Sequence, residues 1–157
     1  KKVWWVCSRR HEWKASISNR FNGTACPKCS NQTSRPELYF FCELKTLFKS
    51  VEHRKKVIDK EIDIFIKDIN LCIEYDGSFW HKNSTIDFAK RSHMIEQGFN
   101  MINIREKPLK KLSDNDVIIN PNSKFSESFI YFLKIFKNNN FLSIHQKEVI
   151  EKYIIYS

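Results

Sequence analysis

A small α/β fold with a mixed sheet, preceded by a separate small module and followed by helices, is what the 157 residues predict on three observations. The stretch EIDIFIKDINLCIEYDG (61–77) alternates apolar and polar residues almost without a break, which marks a β-hairpin. Helix-period segments lie on both sides of it, the second leading into another alternating stretch. Two closely spaced pairs of Cys and His fall within the first thirty residues, apart from the rest of the pattern. Hydrophobic residues at 41% and aromatics at 14% suffice for a core. The 27 Lys and Arg against 18 Asp and Glu give a formal charge of +9, which favours an anionic partner, nucleic acid or an acidic membrane face. No apolar run approaches the ~20 residues of a membrane span and no signal peptide is visible, so the expectation is a soluble, intracellular protein. The sequence starts at Lys1 without a Met, as a fragment with a missing upstream part would.

Cys7, His11, Cys26 and Cys29 spell C-x3-H-x14-C-x2-C, two pairs of borderline or soft ligands as a closed tetrahedral zinc site requires. A disulfide is the alternative, disfavoured because His11 fits the pattern and nothing suggests secretion. About 33 residues bury too little apolar surface to fold unaided, so the zinc is structural. Residues 1–35 carry eight basic residues against one acid, Glu12, which makes Arg9, Arg10, Lys14 and Arg20 candidates for phosphate contacts. Trp4, Trp5 and Trp13 are read as most of this module's core, with base stacking as the alternative. The string VWWVCSRRHEWKASISNRFNGTACPKCS resembles treble-clef-like zinc ribbons that stand beside nuclease domains, a likeness that includes Trp5, His11, Trp13, Arg20 and Gly23.

From 34 onward the elements follow in order. In SRPELYFFCELKTLFKS, Ser34 is an N-cap, Pro36 opens the first turn, and Leu38, Phe41, Leu44 and Phe48 recur at helical spacing. Glu37 stands at the capping-box position, a structural role compatible with a chemical one. In the hairpin, Ile62, Ile64 and Ile66 share one face, and Leu71, Ile73 and Tyr75 oppose Cys72, Glu74 and Asp76. With apolar faces together, Asp63, Glu74 and Asp76 project on the other side, and three anions need a cation; hard oxygen ligands suit Mg2+. TIDFAKRSHMIEQGF reads as a helix with Phe88, Met94 and Ile95 inward and Gly98 as its stop, and NMINIRE as a returning strand. Cys42 and Cys72 read as core, and Asp68, Asp114, Asp116 and Glu106 as ordinary turn or strand-end acids. FSESFIYFLKIFK and SIHQKEVIEKYIIY, the latter capped by Ser143, are packing helices or a homodimer contact.

The acids on this helix, hairpin, helix and strand frame, with GSFWH directly after the second hairpin strand, resemble the PD-(D/E)xK nuclease superfamily. The likeness is greatest to very-short-patch-repair endonucleases and E-D-x-H-D homing-endonuclease domains, and covers about residues 34–108. It implies a restriction-endonuclease-like core and a catalytic set of Glu37, Asp63, His81 and Asp87, with Glu74 and the Tyr75 carbonyl as further metal ligands. Position 76 departs from it: the superfamily keeps Lys there and the repair enzymes His, whereas this chain has Asp76. His81 then becomes the candidate general base. For Asp87, the N-cap or first-turn partner of its helix is an equal reading. Phe79 and Trp80 wedge into a base step or wall the site.

The expectation is therefore a metal-dependent DNA endonuclease: a zinc-ribbon DNA-binding module over residues 1–33, a nuclease core over 34–110 and a helical extension over 111–157, with structural Zn2+ and catalytic Mg2+ or Mn2+. The alternative is an inactive nucleic-acid-binding protein with a decayed nuclease fold.

Overall fold

The structure, a computed structural model, describes every residue except Arg9, Asn22, Gly23, residues 29–32 and residues 80–83. The expectations placed on Arg9, Gly23, Cys29, Trp80 and His81 therefore fall outside the described residues. The chain divides into two compact units, Lys1–Arg35 and Pro36–Ser157. Among the described residues, no helix is long and apolar enough to cross a membrane.

In the first unit, β1 (Lys2–Val6) pairs antiparallel with β2 (Glu12–Ser16), and the short α1 (Ile17–Phe21) follows at once. Trp5 faces Trp13 and Val3 faces Ala15 across the ladder on a half-buried face. Trp4, Val6, Glu12 and Lys14 alternate to the exposed face. Trp4 is 68% exposed, so the expected three-tryptophan core holds two. Strand parity is the reason: adjacent residues cannot both point inward.

The second unit opens on α2 (Arg35–Leu47), whose buried residues are Glu37, Phe40 and Leu44. Phe48 continues that stripe, while Leu38 and Cys42 are exposed. The apolar stripe thus runs through Phe40 rather than Leu38 and Phe41, which turns Cys42 outward and Glu37 inward.

Five strands form one sheet in the order β3-β4-β5-β6-β7: β3 (Val51–Val57), β4 (Lys60–Ile66), β5 (Leu71–Asp76), β6 (Asn100–Glu106) and β7 (Val117–Ile119). The first three form an antiparallel meander; β5, β6 and β7 are parallel. Between β4 and β5 a 3-10 turn closes on Asn70, held in the left-handed region. Asp68 accepts from the amides of Lys49 and Ser50 there, a turn acid as expected. Helix α3 (Ser84–Glu96) provides the crossover from β5 to β6 and stops at Gly98, whose φ of +85 suits glycine.

Two apolar clusters sandwich the sheet. The larger joins Ile64, Ile66, Leu71, Ile73, Tyr75, Ile102 and Ile104 to α2 and to Phe129, Phe132, Phe136 and Ile150 of α4 (Phe125–Phe136) and α5 (Ile144–Tyr156). The carboxy-terminal helices thus complete this core, and Ser143 caps α5 in a reciprocal capping box with Gln146. The smaller gathers Val57, Ile62, Phe65, Cys72, Met94 and Met101 on the α3 side. Ile62 therefore parts from Ile64 and Ile66, contrary to the alternation expected. Strand β4 changes face at Asp63.

Candidate functional site

The first candidate centre lies where the β1–β2 hairpin turns. The Cys7 amide donates to the His11 carbonyl at 3.1 Å, the Arg10 amide to the Cys7 carbonyl at 2.9 Å, and the His11 amide to Cys7 Sγ at 3.3 Å. Arg10 takes a positive φ of 62 to close this loop. The thiolate is the form of cysteine that binds metal. Cys26, buried, comes up from the other end of the unit with its Sγ 3.8 Å from His11 Nδ1. Donor atoms of Cys7, His11 and Cys26 all lie within 4.8 Å of one another. Bonds of about 2.3 Å to sulfur and about 2.0 Å to nitrogen need spacings of this size, so the three fit one zinc ion. Cys29, the expected fourth ligand, is outside the described residues.

Arg20, expected at phosphate, lies inside this unit: its guanidinium carbon is 5.2 Å from the Trp5 ring centroid and 5.5 Å from that of Trp13, and it donates to the Thr24 carbonyl. Trp5 Nε1 donates to the Ala15 carbonyl at 3.1 Å. Arg10 and Lys14 are exposed.

The second candidate centre forms where β4 parts from β5. Their ladder ends at the Ile64–Ile73 pair. Beyond it, side chains replace backbone pairing: the Asp63 amide donates to Glu74 Oε1 at 3.3 Å, and the Tyr75 amide to Asp63 Oδ2 at 2.9 Å. From α3, Lys90 places Nζ 2.6 Å from Glu74 Oε2. Glu74 is buried, and burial, followed by the neighbouring Asp63 charge, pushes its carboxyl up to about 8 against the pull of Lys90.

The remaining expected residues fall into two other groups. Glu37, buried on α2, lies with Oε1 2.8 Å from Nε2 of His53 on β3, and the Phe41 ring covers that imidazole at 4.9 Å. Asp76 and Asp87 share one cation. Arg105, fully buried on β6, has Nε 3.1 Å from Asp76 Oδ2 and Nη2 2.9 Å from Asp87 Oδ2. Asn103 Nδ2 also donates to Asp76 at 3.1 Å. Among the described residues, Lys90 offsets Glu74 and Arg105 offsets Asp76 and Asp87. Phe79, shortly after β5, is exposed, and the preceding Ser78 amide donates to Glu106 at 3.0 Å. Among the described residues, the three zinc-site side chains are the one group of three or more Cys, His, Asp or Glu placed to hold an ion.

Lys90, Arg105 and His53 are site residues that the sequence reading passed over. Asp87, Lys90, Arg91 and Met94 recur at i, i+3, i+4 and i+7, a helical stripe with three charged members. The expected inward residues Phe88 and Ile95 are about half exposed. A search for apolar periodicity selects those two and misses the stripe.

An unfolded glutamate titrates near 4.5, the folded Glu74 about 8. Its contribution to stability is therefore present in full below pH ~4.5 and lost as pH rises through about 8. Without added magnesium or manganese and with zinc retained, the wild-type chain is expected to lose stability over that interval by of order a few kcal/mol relative to Glu74→Gln. Urea midpoints at a series of pH values check this; parallel profiles for the two chains would contradict it.

Residues 1–32 match the family model described as a probable treble clef zinc finger domain. No curated protein and no solved structure matches the chain.

Proposed function

We propose that the chain is a metal-dependent DNA endonuclease, in which a zinc finger adds affinity for the polyanion and the carboxylates of Asp63 and Glu74 serve phosphodiester hydrolysis. The observation that carries the reading is the Asp63, Glu74 and Lys90 group at the parting of β4 and β5. Supporting it is the chain order: a helix bearing buried Glu37, the hairpin, a helix, and a strand returning parallel to the hairpin. The basic surplus of residues 1–35 supports a nucleic-acid partner.

Asp63 and Glu74 are hard oxygen donors on adjacent strands, and these two would hold Mg2+ or Mn2+ with most of the ion's shell left to water and phosphate. When bound, such an ion supplies a Lewis acid and an activated water. The protein's own groups do the rest. Lys90, whose ammonium pairs with Glu74, takes the electrostatic role that position 76 cannot fill. Asp76 is held by Arg105 and Asn103, which fixes the end of β5 that leads to Phe79. His81 keeps the role of proton carrier that the sequence suggests.

A second reading, an inactive nucleic-acid-binding protein, is favoured by three ion pairs: Lys90 already occupies Glu74, and Arg105 occupies both Asp76 and Asp87. Nicking of supercoiled plasmid in Mg2+ or Mn2+ separates the two. Wild type is expected to nick roughly a thousand-fold faster than Asp63→Ala, the equivalent of several kcal/mol in the barrier. Equal rates, with binding retained by both chains, favour the second reading.

A further inference from the structure

The exposed face of the zinc-binding unit shows a feature that hydrolysis does not use. Alternation along the β1–β2 hairpin sorts its tryptophans into two kinds. Trp5 and Trp13 are half-buried and lie under the Arg20 guanidinium, with the Trp5 indole N–H committed to Ala15. Trp4 points the other way and is 68% exposed. Its cross-strand neighbour is Lys14, whose Nζ lies 5.9 Å from the Trp4 ring centroid. The same face carries Lys2 and Val6 on one strand and Glu12 and Ser16 on the other, all exposed or half-buried, with Glu12 the single acid.

A large ring left in water contributes little to folding, because only buried apolar area counts. A strand holds it with less freedom than a loop would, and the ammonium above it is a cation–π partner. We propose that Trp4 is a stacking platform for an unpaired base of single-stranded nucleic acid, with Lys14 and Lys2 contacting the flanking phosphates. Single strands are favoured over duplex because a flat, accessible ring can pair only with a base face, which a duplex hides in its stack. A nucleic acid is favoured over a protein groove by charge: residues 1–35 carry eight basic side chains against Glu12 alone. The inference rests on the chain binding nucleic acid, and it is independent of whether it cleaves any.

The test uses the full zinc-loaded chain carrying Asp63→Ala, so that cleavage does not intrude, with fluorescein-labelled oligothymidine and a duplex of the same length as probes. Adding Trp4→Ala is expected to weaken oligothymidine binding about ten-fold or more, while Trp4→Phe recovers most of the loss and zinc content stays constant. Lys14→Ala is expected to lower the slope of log affinity against log salt by about one. Three results would overturn the proposal: no oligothymidine binding by the parent chain, Trp4→Ala within about two-fold of the parent, or Trp4→Phe falling as far as Trp4→Ala. A Trp4→Ala change that alters only self-association in sedimentation would also overturn it, in favour of a second copy of the chain. Loss of plasmid nicking in Asp63→Ala reports on the hydrolytic reading alone, so the two can fail separately.

Discussion

Removal of zinc is expected to unfold Lys1–Arg35 and to leave Pro36–Ser157 folded. Among the described residues of the first unit, the one apolar side chain that is buried is Cys26, itself a ligand. The tryptophan pair and Arg20 add contacts, but Trp5 and Trp13 are only half-buried. A hairpin and one short helix of this kind are marginal in water. Structural zinc contributes an apparent folding free energy on the order of 10–16 kcal/mol at pH 7 in small fingers, more than any other term available here. Three of the four tryptophans, Trp4, Trp5 and Trp13, lie in this unit. Chelation should therefore shift the emission of the half-buried Trp5 and Trp13 to the red, while amides of β5 and β6 in the second unit keep their protection from hydrogen exchange. Cys26→Ser should reproduce the effect. Unchanged emission after complete zinc loss would show that the unit folds without its metal.

Asp116→Ala is expected to be the most damaging single change in the second unit, at about 3–5 kcal/mol. Asp116 is fully buried and accepts from four donors: Arg91 Nη1 at 2.9 Å and the amides of Asn103 at 3.0 Å, Leu112 at 2.7 Å and Ser113 at 3.0 Å. Its partner Arg91, also buried, further donates to Asn103 Oδ1, the Met101 carbonyl and Ser113 Oγ. Truncation leaves a buried guanidinium short of its counter-charge and three amides short of an acceptor, which costs more than the pair ever contributed. The network fastens α3 and the segment before β7 to β6, and α3 carries Lys90. A drop in the urea midpoint with an unchanged slope is the expected signature. A loss below about 1 kcal/mol would show that water replaces the carboxylate.

The core of the second unit could be read from its residues because its central strands obey simple rules. Strand β5 is buried on both faces, and Leu71, Ile73 and Tyr75 do separate from Cys72, Glu74 and Asp76 as alternation demands. What escaped reading has three physical sources. Strand β3, VEHRKKV, is an edge; charges there discourage pairing with other chains and also erase the apolar signal. Strand β7 is too short for periodicity to speak. Helix α3 buries a mostly charged stripe, so its apolar residues pointed to the wrong face, and Asp116 passed for a turn acid. At the site, Asp63 and Glu74 were legible, since acids interrupting an apolar strand are costly and need a reason. Their cation was not. Lys90 lies sixteen residues beyond Glu74 on a different element, and only the crossover of α3 brings it there.

The hydrolysis proposed here requires Asp63 and Glu74 to hold a divalent cation. Anomalous scattering from a crystal grown with Mn2+ and a short DNA duplex addresses it most directly. Manganese is expected on the carboxylates of Asp63 and Glu74, with Lys90 displaced from Glu74 Oε2, and a separate zinc peak among Cys7, His11 and Cys26. Zinc alone, with Lys90 still on Glu74 and DNA in place, would contradict it.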